Sequence, residues 1–156
     1  MPDASGGQRP CRVKFESTET LPNCDWIEAN APESAAIAEL DGYETTVDEM
    51  VYGSTDADRP KHDLLGHPVL IQWPWELECQ FVTNGIACDG STDYDDPRAA
   101  ALTPGAKDWR LLLQIDSDEA GPGWMWGDSG MLYFAIPEAA LKARAFDKAW
   151  MIKQSC

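Results

Sequence analysis

An α+β fold with an antiparallel sheet is expected from three features of this chain. Two short apolar runs, Leu111–Ile115 and Met131–Ile136, are each bounded by turn formers and rich in branched or aromatic residues, as buried strands are. A Pro137–Glu138 start with Lys142 and Arg144 at the far end marks a short helix directly after the second run. A third run, Ala149–Gln154, then reads as a strand, giving a β–β–α–β C-terminal unit with short helices packed on the sheet. The near-continuous apolarity of the first two strands predicts that both sheet faces are covered.

Residues 1–10 read as a flexible arm, and Cys11–Phe15 as a first strand with Val13 and Phe15 on one face. Asn30 is placed to cap a helix from Ala31–Pro32–Glu33 to Leu40, with Ile37 and Leu40 inward and Gly42 just beyond the end. Tyr43–Tyr52 alternates weakly, which suits a strand or extended edge. Gly53–Pro60 is a loop, followed by Lys61–Gln72 and Trp73–Pro74–Trp75. Residues 83–108 are turn-rich and acidic, as in a long surface loop. The connector Asp116–Gly130 holds Gly121, Pro122, Gly123 and Gly127, so the chain bends there several times. Its Trp124 and Trp126 either cover the core edge or line a recognition groove. A chain of 156 residues is expected to form one domain with a sizeable core.

Charge is the main compositional signal: 27 acids face 12 bases, a net charge of −15. Such a field repels nucleic acid and anionic membranes and attracts cationic partners. Solubility alone is the alternative reading. Between Phe15 and Asp58 there is no Lys, Arg or His, but twelve acids. A run of one sign this long either solvates a face or meets a basic partner. No apolar stretch approaches the roughly twenty residues of a membrane span, and Met1–Gly7 has no apolar core of a secretory signal. A cytoplasmic protein is expected, with the five cysteines unpaired by default and a Cys79–Cys88 disulfide as the alternative.

Three blocks, taken together and in order, carry a family resemblance. They are Lys61-His-Asp-Leu-Leu-Gly-His-Pro-Val-Leu-Ile-Gln72, Trp109-Arg-Leu-Leu-Leu-Gln-Ile-Asp-Ser-Asp118 and Trp126-Gly-Asp-Ser-Gly-Met-Leu-Tyr-Phe-Ala-Ile136, with Leu141…Phe146…Trp150…Gln154 after them. Over about residues 50–156 the chain resembles the C-terminal half of the YwqG-like family, mostly bacterial proteins with a domain of unknown function. The resemblance implies an α+β fold with antiparallel sheets and a longer N-terminal half, most of which this chain lacks. Its first 50 residues would then close the fold in another way. It implies no catalytic residues. Some relatives are held to act as immunity proteins beside secreted toxins.

The local motifs point away from catalysis. Gly127–Asp128–Ser129–Gly130 copies the surroundings of a protease serine, but the only histidines, His62 and His67, lie upstream in another setting. A nucleophile elbow would need Gly where Met131 stands. Asp116–Ser117–Asp118–Glu119–Ala120–Gly121 opens like a calcium loop, but Ala120 and Gly127 stand where ligands belong. Neither histidine has a zinc spacing to the cysteines, and phosphate-binding glycine motifs and basic patches are absent. No cofactor or metal is therefore expected. The leading expectation is a non-catalytic acidic protein that binds a basic protein partner, with a toxin-neutralising immunity protein as its sharpest form. Its contact residues would be Asp89, Asp93, Asp95, Asp96, Asp116, Asp118, Glu119, Trp124, Trp126 and Asp128. Two alternatives remain. One is an enzyme or metal module using Asp116, Asp118 and Asp128. The other is a small-ligand module with Trp73, Trp75 and Trp126 around an apolar pocket.

Overall fold

A computed structural model describes residues 10–52, 59–88 and 96–155. Its centre is a four-stranded antiparallel sheet in the order β1 (Asp63–Leu64), β2 (Trp109–Asp116), β3 (Met131–Pro137), β4 (Trp150–Gln154). The β–β–α–β unit is present, with α6 (Glu138–Ala143) between β3 and β4. Pro137 ends β3 and stands at the N-cap of α6, since a fixed φ and a missing N–H suit both places. Arg144, at φ 57°, closes the helix in the left-handed conformation.

One irregularity decides which side chains enter the core. The register between β2 and β3 shifts between Leu111 and Leu113. Buried positions on β2 therefore run Trp109, Leu111, then Gln114, changing parity across the extra residue. Without that shift, Gln114 would face outward and Leu113 inward.

The inner face carries Trp109, Leu111, Met131, Tyr133, Ala135 and Ile152, packed on Trp75 and Cys79. Those two belong to or adjoin α4 (Glu76–Thr83), which crosses the sheet beside β2. A satellite cluster of Phe81, Ile86 and Ala99 joins α4 to α5 (Ala99–Leu102). The outer face is covered less than the apolar runs suggest. Leu113, Phe134 and Leu132 are half-buried there, and Met151 is 49% exposed.

Residues 61–64 run along the sheet edge and residues 67–73 then pass over its inner face, and the sheet's own side chains satisfy their backbone. Gln114 Oε1 accepts Val69 N at 3.0 Å, and Gln114 Nε2 donates to Lys61 O at 3.1 Å and to Asp63 Oδ2 at 2.8 Å. Tyr133 Oη donates to Val69 O at 2.7 Å and accepts Ile71 N at 3.3 Å. Gln154 Oε1 accepts Gln72 N at 3.2 Å, while its Nε2 donates to Trp73 O at 2.8 Å. Three strands thus each supply one buried polar side chain to one segment, which meets the general requirement that buried backbone groups be paired.

The N-terminal third is helical. Cys11–Phe15 forms no strand, and Val13 and Phe15 are exposed. The first helix is α1 (Cys24–Asn30), capped by Asn23, whose side chain accepts Trp26 N at 2.8 Å. Asn30 ends that helix instead of starting the next. A 3-10 turn at Pro32–Ser34 leads into α2 (Ala35–Ala38), and Ile37 and Leu40 point to solvent, not inward. Gly42 follows with φ +82°, as the expected stop requires. Tyr43–Tyr52 is a helix, α3, and no strand; Val47 is its buried residue among those whose side chains are described. The span 83–108, expected as one loop, contains α5 and a 3-10 stretch at Thr103–Asp108. Cys79 is a free thiol, so it is not bridged to Cys88. Among the described residues no helix is long and apolar enough to cross a membrane.

Candidate functional site

The connector between β2 and β3 gathers several of the residues singled out from sequence. Asp116 Oδ2 accepts Lys61 N at 2.9 Å and its Oδ1 accepts Ser117 N at 2.8 Å. Asp118 Oδ1 accepts Gly121 N at 2.7 Å. His62 Nδ1 accepts Asp116 N at 3.1 Å, leaving Nε2 to face Asp118 Oδ2 at 3.8 Å. Trp126 Nε1 donates to Asp116 O, and Ser117 Oγ links Trp126 N to Gly130 O. Trp124 lies edge-on to His62 at 5.9 Å and beside Trp126 at 6.0 Å. The carboxylates of Asp116 and Asp118 thus act as acceptors for backbone amides, those of Ser117 and Gly121 within the connector and that of Lys61 beyond it.

The remaining expected contact residues are dispersed. Glu119 and Asp128 are exposed. Asp96 lies before α5, where the Arg98 guanidinium holds its carboxyl below the ordinary range. Asp89, Asp93 and Asp95 lie outside the described residues. Among the described residues no cluster of His, Cys, Asp and Glu has the arrangement to hold a metal ion. The three tryptophans expected around one apolar pocket do not share one. Trp75 is fully buried in the core, while Trp73 is 57% exposed at an open groove of about 1070 Å³ whose lining does not include Trp126.

A second, smaller cavity of about 230 Å³ is the site that sequence reasoning missed. It lies between α1 and the start of α4, with Trp26, His67, Glu76, Trp109 and Arg110 among its lining residues. His67 is held there by the turn before it. Leu65 and Gly66 both have positive φ, at 65° and 83°, and Thr20 Oγ1 accepts His67 N at 2.8 Å. A Cβ at residue 66 would meet that hydroxyl, so Gly is required on steric grounds as well as by φ. The imidazole packs edge-on against Trp26 with ring centroids 4.8 Å apart.

Glu76 is 2% exposed. Trp26 Nε1 donates to its Oε1 at 2.5 Å, while Oε2 has no hydrogen-bond partner among the described residues. Burial pushes the Glu76 carboxyl above its usual range, and hydrogen bonds from its own backbone, Trp26 and Asn30, with the charge of Arg110, oppose that. Burial and then Arg110 hold His67 below the ordinary imidazole value. Arg110 itself is anchored, its Nη1 donating to Lys107 O and Trp109 O and its Nη2 to Glu138 Oε2 at 2.5 Å. The sequence signal for this site is a lone carboxylate in Trp75–Glu76–Leu77, a charged residue between two large apolar ones.

The family model for a domain of unknown function, DUF1963, matches residues 7–156, and the chain belongs to that family. The match takes in residues 7–49 as well as the blocks that carry the resemblance. No curated protein matches the chain.

Proposed function

We propose that this chain is a non-catalytic binding protein whose acidic helical layer docks a basic protein partner. One observation carries the reading. Glu19, Asp25, Glu28, Glu33, Glu39, Asp41, Glu44, Asp48 and Glu49 are all exposed, and none is ion-paired among the described residues. Ile37, Leu40 and Met50 are exposed on the same layer, offering apolar contact beside the charge. Unpaired charge of one sign speeds association with an opposite surface, and apolar side chains within it hold the encounter complex. Membership in the YwqG-like group of bacterial proteins, action in the cytoplasm and neutralisation of a cationic toxin form the sharpest version of this proposal.

The test is calorimetric titration with a lysine-rich amphipathic helical peptide at low and high salt. Screening lengths shrink from about 10 Å at 0.1 M to about 3 Å at 1 M, so affinity should fall at least tenfold. Reversing Asp25, Glu28, Glu44 and Asp48 to Lys should abolish binding. Reversing Glu119, Asp128, Asp147 and Glu138 should weaken it far less. Equal losses from the two sets, or salt-independent affinity, would refute a docking face.

A further inference from the structure

We propose that the cavity between α1 and α4 binds a small zwitterion, a free α-amino acid in chemical class, independently of the acidic docking face. The cavity holds both signs of charge in separate places. Glu76 is one of the lining residues, and its Oε2, shielded from bulk water, has no hydrogen-bond partner within bonding distance among the described residues. A buried acceptor without a donor carries a desolvation penalty that a fitting ligand donor relieves. An ammonium group supplies three such donors.

Cations stand on another part of the lining. Lys107 is exposed and makes no ion pair among the described residues. Arg110 is fixed by two carbonyls and Glu138, so its guanidinium is pre-positioned. A ligand bearing only an ammonium would meet these cations, and one bearing only a carboxylate would meet Glu76. A molecule with both satisfies each. Trp26, Trp109, Pro68 and Leu111 provide apolar walls for a side chain. The volume of about 230 Å³ is that of a single small molecule and not of a peptide.

The experiment is ligand-detected NMR and calorimetry on the full chain with the standard free α-amino acids. The best binder is then compared with its N-acetyl and its carboxamide derivatives. At least one amino acid should bind, and each derivative should lose tenfold or more. Glu76→Gln, checked for folding by circular dichroism, should lose binding by at least tenfold. Lys107→Gln, an exposed change that spares the core, should weaken it several-fold. Absence of binding across the panel, or full binding by the carboxamide or by Glu76→Gln, would overturn the proposal.

Discussion

Replacing Tyr133 by Phe isolates the anchoring of the crossing segment, because it removes one oxygen and leaves the ring in place. That oxygen donates to Val69 O at 2.7 Å and accepts Ile71 N at 3.3 Å. Tyr133 is wholly buried, so water cannot easily replace it. Each buried group left unpaired costs about 1–3 kcal/mol. The 3.3 Å bond is the longer and weaker, so the expected loss is roughly 2–4 kcal/mol, most of it from Val69 O. Total stability of a domain is about 5–15 kcal/mol, so this is a large fraction. Urea unfolding followed by tryptophan fluorescence should show a lower midpoint with an unchanged slope. Thermal unfolding should drop by about 2–4 °C for each kcal/mol. Amide exchange at Ile71 should accelerate more than at Met151, on the opposite face of the sheet. A loss below about 0.5 kcal/mol, no more than an ordinary surface substitution, would refute the claim that sheet side chains hold this segment.

Three further outcomes follow from the same geometry. Glu76→Gln should stabilise the unliganded protein at neutral pH, because it removes a buried charge. The raised carboxyl favours the folded state below its unfolded value, near 4.5, and that contribution is lost as pH rises through the folded value. The variant's advantage in thermal melts should therefore grow from acidic to neutral pH, and a pH-independent gap would contradict it. His67 works in the opposite sense: its depressed value gives stability above its unfolded value of 6.5 that is lost as pH falls. His67→Asn should flatten the acid side of the stability profile. Gly130→Ala should cost about 3 kcal/mol or prevent folding, since a Cβ there would overlap the carbonyls of Trp126 and Gln154; a soluble variant with unchanged urea midpoint would argue against the packing of the connector on β4.

The central hairpin was legible because its strands are short apolar runs between turn formers, and such runs have few alternatives. Its register was not legible, since the extra residue at Leu112 depends on how Gln114 and Tyr133 meet the crossing segment. Helix α3 carries one deeply buried side chain, Val47, among those described, and a helix with so narrow an apolar stripe shows little 3.6-residue periodicity. The alternation of Tyr43, Thr45 and Val47 therefore suggested a strand. In α4 the apolar residues Leu77, Cys79 and Phe81 alternate as well, yet the segment is helical and its Cys79 joins Trp109 and Tyr133 in the core. The site at Glu76 joins residues 26, 67, 76 and 110, so no window of sequence contains it. The acidity of residues 15–58 was plain, but that Asp25, Glu28, Glu44, Asp48 and Glu49 stand exposed on helices with no ion pair among the described residues required the fold.

The crossing segment is gripped through its main chain, by an amide, a phenol and a second amide from three strands. Its side chains add to that hold: Val69, Leu70 and Ile71 pack against the core, and Gln72 Nε2 donates to Ser155 O. Exposed Trp73 should tolerate wide variation in identity, while Gln114, Tyr133 and Gln154 should tolerate almost none. Since Trp73 also lines the large groove, that part of its wall can be rewritten while the scaffold beneath it stays intact.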